Sequence, residues 1–322
     1  MALSLGLGLG LSFARSGGGV PSWTPPDALF AIETVPGGRR YQCGAPVNVN
    51  ATGGYALSNA RLYVPIAADT PRMTDRGLLV EAARENAVRG NMLNSLSTYI
   101  MLTDTTRASL AAGGSPAGDA YAKRITQGSA GNGVHSFFGT GWVTAGQQNA
   151  CSVVLRSPDS ARYIRVSMSD NVSVVHQLWV DLETKTIGNV SSGAQGSVVP
   201  LDDDWMLVTL ITGLYPNTTS SGGLGFIVCN GMGSTTRATG HYDMWGGQVE
   251  LNRSGVSSPI LTGTNTAVRA ADTLIIPNVS AGAYNLHLQY AGGADRVIAG
   301  WAYNDPLPFD PRPIIMAWGE AA

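Results

Sequence analysis

The amino-acid sequence predicts an all-β protein, an antiparallel sandwich or jelly roll preceded by an extended N-terminal arm. Three observations predict this fold. The 322 residues include 41 glycines, and only 13% of the residues are charged. Short apolar segments alternate with turn-forming clusters at fairly regular spacing between residues 120 and 262. The chain lacks the long Ala, Glu, Lys and Leu tracts of a helix bundle, and its 44% hydrophobic residues suffice for a core.

Residues 1–28 are predicted to form an anchoring arm. Apolar residues occupy alternate positions at its start: Leu3, Leu5, Leu7, Leu9, Leu11 and Phe13. A period of two places them on one face of an extended strand, which must pack on another protein or copy. No basic residue precedes Arg15, unlike an export signal, and the segment is too short and glycine-rich to span a membrane.

Residues 29–104 read as a small β-rich attachment or linker region. Strand candidates fill residues 29–64, with turns at the glycine pairs 37–38 and 53–54. Only residues 78–103 have helical character, and Gly90 interrupts them. We expect a short helix or an irregular segment there.

Residues 105–262 are predicted to form the jelly roll, and residues 263–322 a C-terminal β segment. Eight strand candidates lie between residues 120 and 262, and turn clusters such as SPDSA and PNTTSSGG separate them. Strands spaced about 8–12 residues apart are typical of antiparallel sandwiches. The last segment contains four further candidates, including TLIIP and YNLHLQYA.

Charge and cysteine usage exclude several function classes. The formal net charge is −2, Lys123 and Lys185 are the only lysines, and no basic patch predicts nucleic-acid binding. Cys43, Cys151 and Cys229 are widely spaced and odd in number, so they predict neither a zinc site nor a disulfide framework. We interpret Cys151 and Cys229 as buried strand residues.

The sequence predicts no enzyme. The metalloprotease, serine-hydrolase and phosphate-loop motifs do not occur, and only four histidines could act as general bases. Glycan cleavage by two carboxylates stays an open alternative, because such a pair needs to meet only in space.

The segment HYDMWGGQVEL supplies the strongest candidate for a ligand site. Sugar sites combine an aromatic face with polar groups for the hydroxyls. His241, Asp243 and Trp245 share one face of a strand by the period of two, and together they favour a wet groove. Two alternatives are a satisfied buried network and a bulge at Gly246 and Gly247 that resets the faces.

Other aromatic residues are weaker candidates. Tyr215 and Asn217 lie in a predicted loop, where they could contact the same ligand. Trp142, Trp179 and Trp205 are interpreted as core or sheet-edge residues.

The acidic run Asp202, Asp203 and Asp204 is interpreted as a solvated turn, since three consecutive carboxylates on an extended chain cannot converge. No cofactor or metal is predicted. A calcium ion held by oxygen ligands is the open alternative.

Several motifs occur in the order found in proteins of tailed phages and prophages. Those proteins carry a pattern of the type A…D.PR…GLLIE.ARTN.L..S, a jelly roll, and an ending of the type WGAQLE…YIPT…VTRAAD. This chain reads AADTPR at 67–72, GLLVEAAREN at 77–86, LNS at 93–95, LWVDLET at 178–184, DWMLV at 204–208, WGGQVE at 245–250 and AVRAAD at 267–272. It departs at Glu85, where Thr is usual, and at residues 259–262, which read PILT in place of YIPT.

The resemblance covers roughly residues 55–275. It implies a carbohydrate-binding-module-like or concanavalin-like jelly roll in a tail fibre or head spike, including the spikes of gene transfer agents. It therefore implies a virion component, made in the bacterial cytoplasm, that adheres to host surface polysaccharide. The alternatives are a base or decoration protein that binds no glycan, and a glycan depolymerase.

The expected partners follow from the same resemblance. They are capsid or tail proteins, host polysaccharide and further copies of the chain, since spikes and fibres sit on symmetry axes. A trimer is favoured, with a pentamer as the alternative. Nucleic acid and membrane insertion are not expected.

Overall fold

A computed structural model describes residues 27–34, 39–41, 43, 45–48, 54–57, 63–74, 76–88, 100–111, 113–129, 133–138, 143–158, 161–170, 172, 174–202, 204–219, 222–262 and 265–322. For residues 54, 100–103, 133–138 and 311 it describes only the backbone. Every regular element in these ranges is a β-strand, so the predicted all-β class is confirmed. The described ranges hold no helix of the length and apolarity that a membrane crossing requires.

The strands are numbered in chain order. They are β1 (Phe30–Glu33), β2 (Arg40–Tyr41), β3 (Val47–Asn48), β4 (Gly54–Leu57), β5 (Tyr63–Ile66), β6 (Arg72–Thr74), β7 (Gly77–Val80), β8 (Arg84–Asn86), β9 (Ile100–Thr103), β10 (Thr105–Ser109), β11 (Lys123–Gln127), β12 (Gly133–Phe138), β13 (Ala150–Arg156), β14 (Tyr163–Ser169), β15 (Val175–Asp181), β16 (Thr186–Val190), β17 (Gln195–Pro200), β18 (Met206–Ile211), β19 (Gly222–Cys229), β20 (Gly240–Glu250), β21 (Ala267–Arg269), β22 (Leu274–Ile275), β23 (Ala283–Tyr290), β24 (Arg296–Ala302) and β25 (Asp310–Ala321).

Strands β9 to β20 form a jelly roll. One sheet has the order β10-β11-β20-β13-β18-β17, and the other has the order β16-β15-β14-β19-β12-β9. Their inner quartets, β11-β20-β13-β18 and β12-β19-β14-β15, follow the interleaved order of a jelly roll, and all neighbours within them are antiparallel. The predicted fold is therefore confirmed, although its first strand begins at Ile100 rather than after residue 104.

The jelly-roll core follows from alternation along these strands. On β14, Ile164, Val166 and Met168 point between the sheets and are almost fully buried. Leu178 and Val180 do the same on the adjacent β15. Removing such a side chain from water stabilises the fold by about 1.5–3 kcal/mol, so the period of two fixes which face of each strand turns inward.

A third sheet, separate from the two sheets of the jelly roll, joins the two ends of the described chain. Its order is β2-β1-β25-β23-β24, and β7 pairs with β25 and with β6. Phe30 packs edge-on against Tyr284, with ring centroids 5.2 Å apart, and lies 5.6 Å from Trp301. The regions 29–104 and 263–322, which the sequence separates, thus contribute to one sheet and one core.

The helical interpretation of residues 78–103 is wrong for the residues described there. They form β7, β8 and β9, and residues 89–99 lie outside the described ranges. Leu78 and Val80 are buried in the second core, and β7 pairs with β25. Tertiary pairing and burial decide the conformation of this short apolar run, whose periodicity is ambiguous.

Candidate functional site

The predicted groove on β20 is closed. Asp243 and Trp245 share one face, as the period of two predicts, while Tyr242 and Met244 point into the jelly-roll core. Both Asp243 and Trp245 are 0% exposed, whereas His241 is half-buried. This corrects the expectation of a wet groove, since neither buried side chain can reach a ligand from solvent.

Asp243 belongs instead to a buried ionic network, the alternative that the sequence left open. Arg124 Nε lies 2.9 Å from its Oδ1, and Arg156 Nη2 lies 2.9 Å from its Oδ2. The Arg156 guanidinium also lies over the Trp205 ring, 4.5 Å from the ring centroid. These charge-assisted hydrogen bonds offset the cost of burying the carboxylate.

Trp245 lies under a cover that comes from the N-terminal region. Tyr63 of β5 stacks on its ring at 5.1 Å, and Tyr55 of β4 meets it edge-on at 5.3 Å. The Trp245 indole N–H donates to the Asp119 carboxylate at 3.2 Å. Burial, with the Asp119 charge second, raises the pKa of Tyr55. The ring is therefore a packing element between the jelly roll and the hairpin β4–β5.

The predicted bulge in β20 is also present. Ser152 pairs with Gln248 and Val154 pairs with Trp245, which leaves two β20 residues opposite one residue of β13. Gly246 has φ +63°, a conformation that glycine adopts without strain. Before the bulge even-numbered residues enter the jelly-roll core, and beyond it Val249 does, so the bulge shifts the alternation by one residue.

The predicted loop contacts separate into a buried and an exposed residue. Tyr215 is 1% exposed and packs edge-on against His176 at 5.1 Å, so it does not face solvent. Burial raises the pKa of Tyr215 and lowers that of His176. Asn217 is exposed, and its contact with a sugar stays a prediction.

The remaining aromatic interpretations agree with the structure where it describes them. Trp205 is 1% exposed, and Trp179 is 7% exposed with its indole N–H donating to the Ser234 carbonyl at 2.8 Å. Trp142 lies outside the described residues. Cys151 and Cys229 are buried in strands, as expected.

The acidic run does not converge in the part that is described. Asp202 and Asp204 are exposed, Asp204 lies 3.3 Å from Lys185 Nζ, and Asp203 is outside the described residues. Among the described residues no three His, Cys, Asp or Glu side chains group as metal ligands.

The predicted anchoring residues lie outside the described residues. They are Leu3, Leu5, Leu7, Leu9, Leu11 and Phe13. Their role stays a prediction.

The motif residues meet in a buried ionic cluster. Arg72 Nε lies 3.3 Å from Asp272 Oδ1 and 3.7 Å from Glu81 Oε2, and Arg269 Nη1 lies 3.0 Å from the same Glu81 oxygen. All four side chains are at most 7% exposed. Asp272 also accepts from the Asn48 amide at 3.0 Å and the Glu81 backbone at 2.8 Å. Burial lowers the pKa of Arg269, and the neighbouring Glu81 opposes that shift.

A second group of motif residues extends this cluster to β20. Arg84 Nε lies 3.0 Å from Glu250 Oε2, and the Gln248 amide donates to the other Glu250 oxygen at 2.8 Å. Gln248 accepts from the Ile260 backbone at 2.6 Å, and the Asn86 amide donates to the Ile260 carbonyl at 2.8 Å. Because these bonds satisfy buried polar groups of distant segments, the motifs hold the jelly roll against the residues that precede and follow it.

A cleft of about 380 Å³ opens beside the ionic cluster. Its volume lies within the range of small-molecule sites, about 300–1,000 Å³. It is lined by the ends of several segments, among them Arg84, Arg253, Ser257, Arg269, Phe309 and Asp310. Six of the residues that line it belong to the motifs: Leu79, Val80, Glu81, Ala82, Arg84 and Arg269.

The cleft combines an apolar ring with hydrogen-bond donors. Phe309 is 50% exposed, and Arg253 is exposed on the loop that follows β20. Asp310, by contrast, is engaged by Arg312, whose Nη2 lies 2.8 Å from it. The Arg312 hydrogen bonds lower the pKa of Asp310, and its burial opposes them. An aromatic face beside fixed donors is the arrangement that binds sugar rings.

The sequence analysis missed Arg253 and Phe309. Both lie in connecting segments, where alternation gives no signal and where binding residues are common. Phe309 lies in the proline-rich stretch PLPFDPRP, and an aromatic residue among prolines is the one sequence signal that could have marked it.

Comparison with known proteins gives little. No family model matches the sequence, and no curated protein matches it. Among solved structures, the chain is similar to the CBM22-1 and GH10 modules of endo-1,4-β-D-xylanase 10B from Clostridium thermocellum, complexed with xylohexaose. The TM-score is 0.30 at 10% identity, over 56% of this chain and 30% of that chain. This chain spans under a third of that structure, and the likeness carries no conclusion about function.

Proposed function

We propose that the protein is a spike or fibre subunit of a phage or phage-like particle, and that it adheres to host surface polysaccharide. One observation carries the proposal: charged residues of four motifs that resemble such proteins, up to 200 residues apart, meet in one largely buried cluster. Motifs that are weak one by one thereby correspond to one three-dimensional unit, as a shared architecture requires. The particle class itself rests on the resemblance.

The cleft is the place where we propose that the polysaccharide binds. Phe309 offers a half-exposed ring to the apolar face of a sugar, and Arg253, Ser254 and Ser257 offer polar groups to its hydroxyls. These residues lie on connecting segments held by the ionic cluster, so the site rests on a rigid base.

We propose binding without cleavage. Hydrolysis by a carboxylate pair needs one carboxylic acid with a raised pKa. Of the carboxylates lining the cleft, Glu81 is held by Arg269 at 3.0 Å, and the Arg312 hydrogen bonds lower the pKa of Asp310. The lowered pKa of Asp310 favours its ionised form, which cannot act as a general acid.

Attachment to the particle is proposed to use residues 1–20, with their one-sided leucine face, in a closed oligomer. We favour a trimer on a symmetry axis, with a pentamer as the alternative. Avidity would then multiply a weak contact at each cleft.

A base protein that binds no glycan is the second candidate. It is favoured by the internal contacts of five polar motif residues, Arg72, Glu81, Asn86, Gln248 and Asp272. Binding of the purified chain to extracted host capsule separates the two candidates, and release of reducing ends would reveal a depolymerase.

Phe309→Ala is the variant for this test, because its ring lies at the surface and its loss leaves the core intact. We expect at least a roughly tenfold loss of capsule affinity, with an unchanged free energy of unfolding. Tyr303→Ala is the matched control, since Tyr303 is an exposed aromatic that does not line the cleft. Equal affinity of both variants and the parent chain would remove the cleft from the proposal.

A further inference from the structure

We propose that the cleft selects sugars that carry one singly charged oxyanion, with a carboxylate as the preferred group. This inference rests on the proposed glycan binding and names the class of sugar that is bound. It is carried by the charges, the open donors and the aromatic ring that line the cleft.

The first argument is the charge balance around the cleft. The ionic cluster contains three arginines and three carboxylates, which cancel: Arg72, Arg84, Arg269, Glu81, Glu250 and Asp272. Asp310 is balanced by Arg312 in the same way. Arg253 has no ion-pair partner in the described part of the chain, and its only side-chain hydrogen bond there goes to the Asn252 carbonyl at 3.2 Å. Among the residues that line the cleft, three arginines and two carboxylates therefore leave an excess of one positive charge.

The second argument is that further guanidinium donors are open beside Arg253. The Arg84 side chain is 28% exposed, and within the described residues only its Nε is engaged, by Glu250. Arg269 is 2% exposed, and its Nε has no hydrogen-bond partner among the described residues. Buried donors are almost always satisfied by protein, water or ligand, so Arg269 keeps an unused donor behind the cleft wall and its charge beside the cleft.

The third argument is the position of an aromatic ring on the same cleft. A pyranose carboxylate projects from the edge of a ring whose face is rich in C–H groups. Phe309 can cover that face, and a guanidinium matches the planar carboxylate with two parallel hydrogen bonds. One cleft thus offers a partner to each half of an acidic sugar.

The excess of a single charge also limits the ligand. A phosphomonoester carries about −1.5 to −2 at pH 7, more than Arg253 neutralises. A carboxylate or a sulfate ester carries one charge. The carboxylate is preferred because its two oxygens match the guanidinium fork, and the sulfate is the comparison that the test includes.

The test measures binding by the full chain, with trigalacturonic acid, galactotriose and a monosulfated galactotriose as probes. We expect trigalacturonic acid to bind roughly tenfold more tightly than galactotriose, as one charge-assisted hydrogen-bond pair allows. Raising the salt from 50 to 500 mM should reduce that preference several-fold, because the Arg253 charge is exposed to screening.

Arg253→Gln should abolish the preference for the acid, measured as the ratio of the trigalacturonic acid affinity to the galactotriose affinity. Arg39→Gln is the matched control, since Arg39 is exposed and does not line the cleft. Arg253→Lys should retain the salt dependence and lose part of the preference for carboxylate over sulfate.

The outcomes separate this inference from the proposed function. Binding to host capsule without a preference for the acidic probe, or with a preference that survives Arg253→Gln, would overturn the inference alone. Tighter binding of the sulfated probe would overturn the choice of carboxylate. A chain that binds neither capsule nor any probe would overturn both.

Discussion

Arg72 and Asp272 are 200 residues apart in the chain, yet Arg72 Nε and Asp272 Oδ1 lie 3.3 Å apart with side chains 1% and 0% exposed. Glu81 lies 3.7 Å from Arg72 Nε, and the Asn48 amide donates a hydrogen bond to Asp272 at 3.0 Å. This contact therefore joins the segment before the jelly roll to the segment after it.

Asp272→Asn should destabilise the fold strongly. Losing one member of a buried ion pair costs about 3–5 kcal/mol, because the remaining charge stays buried without compensation. Asp204→Asn is the control, since Asp204 is 84% exposed and its pair with Lys185 is worth about 0–1 kcal/mol. Urea unfolding of both variants measures the difference. Equal midpoints would mean that Arg72 finds another acceptor.

Asp243→Asn should reduce stability without changing glycan affinity. The substitution leaves the guanidinium groups of Arg124 and Arg156, whose side chains are 36% and 21% exposed, facing an uncharged amide, at a cost of about 1.5–3 kcal/mol for the lost charge-assisted hydrogen bonds. The side chain is 0% exposed, so it contributes nothing directly to a ligand site. Capsule binding by the folded fraction checks this. A loss of affinity at unchanged stability would restore the groove on β20.

The cysteines should react slowly in the folded protein. Burial raises the pKa of Cys43 to about 11, with a hydrogen bond from the Ala31 backbone opposing it. At pH 8 this leaves roughly one thiol in a thousand ionised. Because the folded pKa is raised, the Cys43 contribution to stability is complete below the unfolded pKa of about 8.5 and is lost as the pH rises toward 11.

A coloured disulfide reagent measures this reactivity at pH 8. Cys151 and Cys229 are buried with raised pKa values, so we expect all three thiols to react promptly only after unfolding in urea. Prompt reaction of one thiol in the native protein would place it at the surface. Replacing each cysteine by Ser in turn would identify which one.

Gly77→Ala should disrupt the pairing of β7 with β25. Gly77 has φ +132°, and a Cβ there would collide with the carbonyl oxygen of Ile314. A cost above about 1 kcal/mol follows, because alanine cannot adopt the native conformation without strain. Gly231→Ala is the control, since a Cβ there meets only Ser234 at 3.9 Å. Thermal unfolding measures both, and equal melting temperatures would contradict the strain.

Deletion of residues 2–14 should remove the protein from particles while the fold survives. Burial of each leucine at positions 3–11 against a partner would stabilise the complex by about 1.5–3 kcal/mol, before the entropy cost of ordering the arm. Immunoblots of purified particles measure incorporation, and capsule binding by the free chain is the control. Normal incorporation would place the attachment surface in the β-sheets.

Much of the fold could be predicted because apolar and polar side chains alternate along its strands. The period of two along β14 and β23 identifies the inward residues, and the spacing of turns identifies a sandwich. The failure at residues 78–88 has a physical cause, since Leu78 and Val80 are held by a strand that lies at the other end of the sequence.

The candidate site could not be predicted for a similar reason. Alternation places Asp243 and Trp245 on one face but does not show that Tyr55 and Tyr63 cover it. The cleft is formed by connecting segments that become neighbours only in the folded chain. Local patterns carry no information about such distant contacts, apart from the ordered motifs whose residues support the cleft.

The pairing of β1 with β25 also sets an order of events during translation. Among the described residues, the strands of the jelly roll, Ile100 to Glu250, pair only with one another, so this unit can fold while the ribosome is still adding the remaining residues. The third sheet, outside the jelly roll, cannot be completed until β25 has emerged, because β25 is the partner of β1, β7 and β23. Until then β1 lacks this sheet partner, and a nascent chain paused before β25 would be the form most prone to aggregate or to need a chaperone.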